Sequence, residues 1–113
     1  MIEVAIFSYN RLFYLKNALH SVQRNVSDAR VRIYDDGSDL SEMKNFLFEN
    51  SDLVGARLKG LDSKHGGLYA NMQSALDEAQ EDYLLLMQDD TQIVRKMEQE
   101  DLEAINRAFE AFP

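Results

Sequence analysis

An open, mostly parallel α/β sheet with helices on both faces is the fold this sequence predicts, and three observations predict it. Short apolar runs alternate with stretches of helical periodicity, several of the runs end abruptly in polar clusters, and neither a linker nor an internal repeat divides the 113 residues. One domain spanning residues 1–113 is therefore expected.

The elements follow in order. Val4-Ala5-Ile6-Phe7 reads as a buried parallel strand that stops at Ser8-Tyr9-Asn10-Arg11. Leu12, Leu15, Ala18, Leu19 and Val22 recur at helical spacing and predict a helix from about Arg11 to Gln23. Val31-Arg32-Ile33-Tyr34 is a second strand, and Asp39-Leu40-Ser41-Glu42 has the pattern of a capping box before a helix carrying Met43, Phe46 and Leu47. Arg57 to Leu61 is an edge-strand candidate. Lys64-His65-Gly66-Gly67 then punctuates the chain ahead of a helix through Leu68, Met72, Ala75, Leu76 and Ala79. Tyr83-Leu84-Leu85-Leu86-Met87 is the best candidate for a central strand buried on both faces, and it delivers Gln88-Asp89-Asp90 to the sheet edge. A last helix, from roughly Met97 to Phe112, places Leu102, Ile105, Ala108, Phe109 and Phe112 on one side. Four strand-helix units with right-handed crossovers make a Rossmann-like sheet whose strands all end on one rim, where such sheets bind ligands.

Composition narrows the function classes. A formal charge of -8 repels nucleic acid and anionic membrane, and the 45% hydrophobic content supports a folded core. Without cysteine there is neither a disulfide framework nor a thiolate nucleophile. The apolar runs are far too short for a membrane span, and Met1-Ile2-Glu3 opens a strand where an export signal needs a basic leader, so a cytoplasmic setting is expected.

The strand ends hold the chemistry. Tyr9 can stack on a flat heterocycle, Asn10 offers an amide, and Arg11 can pair with phosphate; as a set they equally make an ordinary turn before a helix. Asp35-Asp36-Gly37-Ser38 can bind a ligand or a cation, or can stabilise its own turn and cap the next helix. Gln88-Asp89-Asp90 can hold Mg²⁺ or Mn²⁺ with coordination places left for phosphate oxygens. Gly66-Gly67 opens a helix whose amino end favours phosphate, but the spacing is neither a Walker loop nor a dinucleotide fingerprint. His20 and His65 form no zinc pattern, and Glu98, Glu100, Asp101 and Glu103 read as the solvated start of the last helix.

Taken in order, these motifs resemble the nucleotide-binding amino-terminal half of family 2 glycosyltransferases, which have a GT-A fold. The resemblance rests on Ala5-Ile6-Phe7-Ser8-Tyr9-Asn10-Arg11, Ile33-Tyr34-Asp35-Asp36-Gly37-Ser38, Gly66-Gly67-Leu68 with Ala75, Ala79 and Tyr83, and Leu86-Met87-Gln88-Asp89-Asp90. It implies a nucleotide-diphosphate sugar as donor, UDP favoured, and glycosyl transfer to a sugar, lipid or protein acceptor. It assigns Tyr9 and Asp35 to the base and Asp36 to ribose or phosphate. Asn10, Arg11 and Gly67 join the nucleotide site, Asp89 lies beside the nucleotide-sugar, and Asp90 is the metal ligand for Mg²⁺ or Mn²⁺.

Three departures stand out: Gln88 occupies the place of the first aspartate of the metal motif, Gln73 that of the usual asparagine, and His65 precedes the glycines. The resemblance covers nearly this whole sequence but about half of a usual catalytic domain, and no residue after Asp90 matches a catalytic base. Two alternatives stand beside the transferase: a non-catalytic nucleotide-binding or interaction domain, and a receiver-like signalling module, whose acidic first strand end is not matched by Ser8-Tyr9-Asn10. Exposure of Leu102, Ile105 and Phe109 would mark a partner or homo-oligomer surface.

Overall fold

The structure, a computed structural model, describes residues 2–55 and 67–112. Its elements are β1 (Ile2–Ser8), α1 (Leu12–Asn25), β2 (Arg30–Asp35), α2 (Ser41–Glu49), α3 (Gly67–Glu78), β3 (Tyr83–Gln88) and α4 (Gln99–Ala111). The three strands are parallel in the order β2-β1-β3, and Val54 extends the sheet beyond β2 through a parallel bridge to Ile33. The edge strand expected at 57–61 and the turn at 64–66 lie outside the described residues.

β1, rather than the apolar 83–87 run, is the central strand. It pairs along both edges and every one of its residues is buried, whereas β3 pairs only with β1 among the described residues and leaves Leu86 exposed. Hydrophobic run length measures burial from above and below; the number of strand neighbours is set by the crossovers. Glu3 is buried within β1, where its Oε1 accepts from the Gln80 amide at 2.9 Å and lies 3.8 Å from Arg30 Nε, a charge contact rather than a hydrogen bond.

Side-chain alternation sorts the layers. Phe7 and its partner Tyr34 have ring centroids 5.8 Å apart, and the Tyr34 hydroxyl donates to Glu78 of α3 at 2.6 Å, so this face is α3's. Burial, then the bond to Glu78, pushes the Tyr34 hydroxyl above the ordinary tyrosine range. Val4, Ile6 and Ile33 occupy the opposite face. There α1 supplies buried Leu15, Ala18, Leu19 and Val22, and α2 packs beside it with Met43 and Leu47. Ile2 and Tyr83 share that parity, and Tyr83 donates its hydroxyl to Asn106 while its ring meets Phe109 at 5.2 Å, placing α4 on the same side. Segment 93–97 is stitched to α1: Ser21 Oγ accepts from the Ile93 amide, Asn25 Nδ2 donates to the Ile93 carbonyl, and the Met97 amide donates to the Asn25 carbonyl. Leu102 and Ile105 pack against the core from α4, while Phe109 and Phe112 stay exposed.

Two helix starts differ from expectation. The Asp39-to-Glu42 capping box does not form; the Asn10 side-chain oxygen accepts from the Asp39 and Leu40 amides, and Asp39 accepts from Asn10 Nδ2 at 2.6 Å. The box appears on α4, where the Glu98 side chain accepts from the Asp101 amide and Asp101 accepts from the Glu98 amide. Asp101 is also held by Arg95 at 2.8 Å, and these two bonds, Arg95 first, lower its carboxyl to about 2.

Two outcomes follow from this packing. A Cβ on Gly55 would sit 2.4 Å from the fully buried Tyr34 ring. Gly55→Ala should therefore lower unfolding free energy by about 1–3 kcal/mol in urea titration. Because the folded carboxyl of Asp101 lies below its ordinary 3.8, its contribution is complete above that value and is lost as pH falls towards about 2. Amide exchange in the first turn of α4 should accelerate across that window, and Asp101→Asn should abolish the pH-dependent step.

Candidate functional site

The parallel register brings the strand ends together. Ser8 pairs with Asp35 and Phe7 with Gln88, so the three turns that follow the strands open on one rim. β1 is the point where strand order reverses, with β2 on one side and β3 on the other, and the crevice at such a reversal is where open α/β sheets take ligands.

Asp35 organises the first two turns. Its buried Oδ1 accepts from Ser8 Oγ at 2.9 Å and Ser38 Oγ at 2.6 Å, and its Oδ2 accepts from the Ser38 amide at 2.7 Å. Ser38 Oγ in turn accepts from the Asn10 amide at 2.8 Å. Gly37 has φ +77° in this tight turn, and Asn10 itself has φ +52°, a left-handed conformation that asparagine tolerates better than most side chains. Asn10 therefore spends its amide on clamping the two turns and capping α2.

A cleft of about 480 Å³ lies over this network, lined by Phe7 to Arg11, Asp36, Leu68, Asn71, Gln88 and Asp89. Ligand pockets commonly span about 300–1,000 Å³. Tyr9 stands half exposed on its wall. Arg11 reaches across to Asp89, Nη2 donating to Oδ1 at 2.5 Å and Nε to Oδ2 at 3.3 Å, with its guanidinium carbon 5.2 Å from the Tyr14 ring centre. The bonds to Asp89 raise the Arg11 pKa above its ordinary value. Asp36 continues the β2 ladder by donating its amide to the Ser8 carbonyl, while its buried Oδ1 has no hydrogen-bond partner among the described residues. A turn closed by the Thr91 amide on the Gln88 carbonyl carries Asp89 and Asp90, the first buried and the second exposed.

The predicted residues thus divide. Tyr9, Asn10, Arg11, Asp36 and Asp89 line the cleft, Asp35 supports it from below, and Asp90 lies outside its lining. Gly67 is not among the lining residues; it starts α3 at φ +72°, where a Cβ would meet nothing within 4 Å among the described residues, so the demand is on the backbone. Asn71 was missed: it is buried and lines the cleft, whereas Gln73 is exposed and donates to Asp77. The available signal was an asparagine four residues before Ala75 on the buried face of α3.

The donors at the rim are hard oxygens: the Gln88 amide, Asp89, Asp90 and the unpartnered Asp36 Oδ1. That set suits Mg²⁺ or Mn²⁺ held by one or two carboxylates with phosphate and water completing the shell. Among the described residues no group of three or more His, Cys, Asp or Glu side chains is arranged to hold a metal ion.

An α/β domain with a polar cleft at its strand-order reversal is the class that fold and site define. The family model described as glycosyl transferase family 2 matches residues 3–110, and the chain belongs to that family. It carries a glycosyltransferase-like domain. Searches of curated proteins and of solved structures gave no match. Among the described residues no helix is long and apolar enough to cross a membrane.

Ser38→Ala removes both a donor to Asp35 and the acceptor of the Asn10 amide, which should destabilise the protein by about 1–3 kcal/mol. Ser41→Ala, at the exposed start of α2, should stay within about 0.5 kcal/mol in the same denaturant titration.

Proposed function

We propose that the cleft binds the nucleoside-diphosphate part of a sugar donor, UDP by analogy with the family, for glycosyl transfer to an acceptor hydroxyl. The observation that carries the reading is the convergence of a half-exposed aromatic ring, a guanidinium and a carboxylate on one cleft, from Tyr9, Arg11 and Asp36. Tyr9 offers a face for the base. Asp35 serves base recognition through the turn it fixes, since its oxygens are bonded to Ser8 and Ser38. The Asp36 carboxylate, on the cleft lining, would accept from a ribose hydroxyl. Asn71 adds an amide from the opposite wall, and the start of α3 at Gly67 lets backbone approach the ligand.

Asp90 would hold Mg²⁺ or Mn²⁺ from its exposed place in the turn after β3. A bound cation supplies positive charge against the charge that grows on a departing diphosphate. Among the described residues two carboxylates and one guanidinium line the cleft, so an anionic ligand gains from that extra charge.

Isothermal calorimetry with UDP, with and without Mn²⁺, tests the reading. Tyr9→Ala should weaken binding about tenfold, the loss of one stacking contact. Asp90→Ala should remove the gain from Mn²⁺, and Asp35→Ala should lose binding with the turn it supports. A folded parent protein that binds no UDP under either condition overturns the proposal.

A further inference from the structure

The Arg11–Asp89 pair is asymmetric. Asp89 is 3% exposed and sits in a closed turn, while the Arg11 side chain is 46% exposed and springs from the residue that caps α1. Both Asp89 oxygens accept from that one guanidinium, which comes from a residue 78 positions earlier in the chain. Of the two partners, only Arg11 has room to turn. Among the described residues lining the cleft, it is also the sole cation, with Asp36 and Asp89 as the carboxylates of that lining.

A diphosphate entering this cleft meets two carboxylates unless the guanidinium turns towards it. Phosphate oxygens match the guanidinium fork as well as a carboxylate does, and a diphosphate carries more charge. We propose that the pair is a phosphate-operated latch: the diphosphate draws Arg11 from Asp89, and the uncovered carboxylate then accepts from hydroxyls of the donor. The inference rests on the nucleotide-sugar reading and adds an order to it, phosphate first and sugar-side acceptor second. Breaking the pair is part of the cost of binding, so Asp89 opposes capture of the diphosphate even though it lies in the site.

Calorimetry in EDTA with UDP, and separately with inorganic pyrophosphate, tests the latch in a double-mutant cycle. Asp89→Asn keeps the side-chain shape and should tighten both probes about fivefold, since Arg11 no longer has to leave a carboxylate. Arg11→Gln should weaken both about tenfold, the scale of a lost charge-assisted contact. The double variant should match Arg11→Gln within about twofold, because the gain from Asp89→Asn acts through Arg11.

An equal gain in the Arg11→Gln background would mean that only net charge had changed, and it overturns the latch. So does an Asp89→Asn protein that binds the probes no better than the parent. Pyrophosphate following the cycle while UDP does not bind would leave the latch standing and remove the nucleotide reading. Failure of both probes to bind removes both. If Asp89→Asn does not fold, the ¹⁵N signal of Arg11 Nε in the parent decides: it should shift when pyrophosphate is added, and an unchanged signal at saturation overturns the proposal.

Discussion

The rim depends on one buried carboxylate. Asp35 lies at the end of β2 and takes hydrogen bonds from Ser8 at the end of β1 and from Ser38 three residues along its own turn. A charged group is costly to bury unless its lone pairs are used, and here three donors use them. Ser38 passes the constraint to the Asn10 backbone, and Asn10 passes it to the start of α2. The turns that present Tyr9, Arg11 and Asp36 are therefore parts of one hydrogen-bonded unit. Asp35 shapes the site without lining the cleft.

Local pattern made most of the elements legible. The 4–7 run, the periodicity of Leu15, Ala18, Leu19 and Val22, and the polar residues at strand ends all act through neighbours in sequence, and each element stands where the pattern put it. What the sequence could not display was pairing across distance. The Asp39-to-Glu42 pattern lost its amides to Asn10, about 29 positions earlier. The α4 box escaped notice because it reverses the common order, with a glutamate at the cap and an aspartate three residues on. Arg11 was read as a phosphate partner or a turn residue and Asp89 as part of the Gln88-Asp89-Asp90 cluster, and only the fold puts them 2.5 Å apart. Asn71 was hidden by the opposite effect: a polar residue on a helix's buried face reads as noise until the wall it faces is known.

The far end of the sheet is held differently. Glu3, buried on β1, accepts from the backbone just ahead of β3, with Arg30 of β2 nearby. One acidic side chain on the central strand thus faces both flanking strands, at the opposite end from Asp35. Removing its partners would leave a buried charge uncompensated, a large penalty even where the intact pair contributes little. Register is fixed at both ends by polar contacts and along the middle by apolar packing.

The order β2-β1-β3 also sets the sequence in which the protein can assemble. Ile2 is made well before its neighbour Tyr83, which follows about 80 residues later. During synthesis β1, α1 and β2 can associate early, because the α1 crossover that joins the two strands is local in sequence. One edge of β1 then keeps its amides and carbonyls unsatisfied until β3 emerges, and closing so long a loop carries an entropic cost before any contact rewards it. The cleft is completed in that same late step, since Gln88 and Asp89 arrive with β3. Between the emergence of β2 and that of β3 a nascent chain therefore carries an open strand edge and an incomplete cleft, which is the interval in which a holding chaperone would find most to bind.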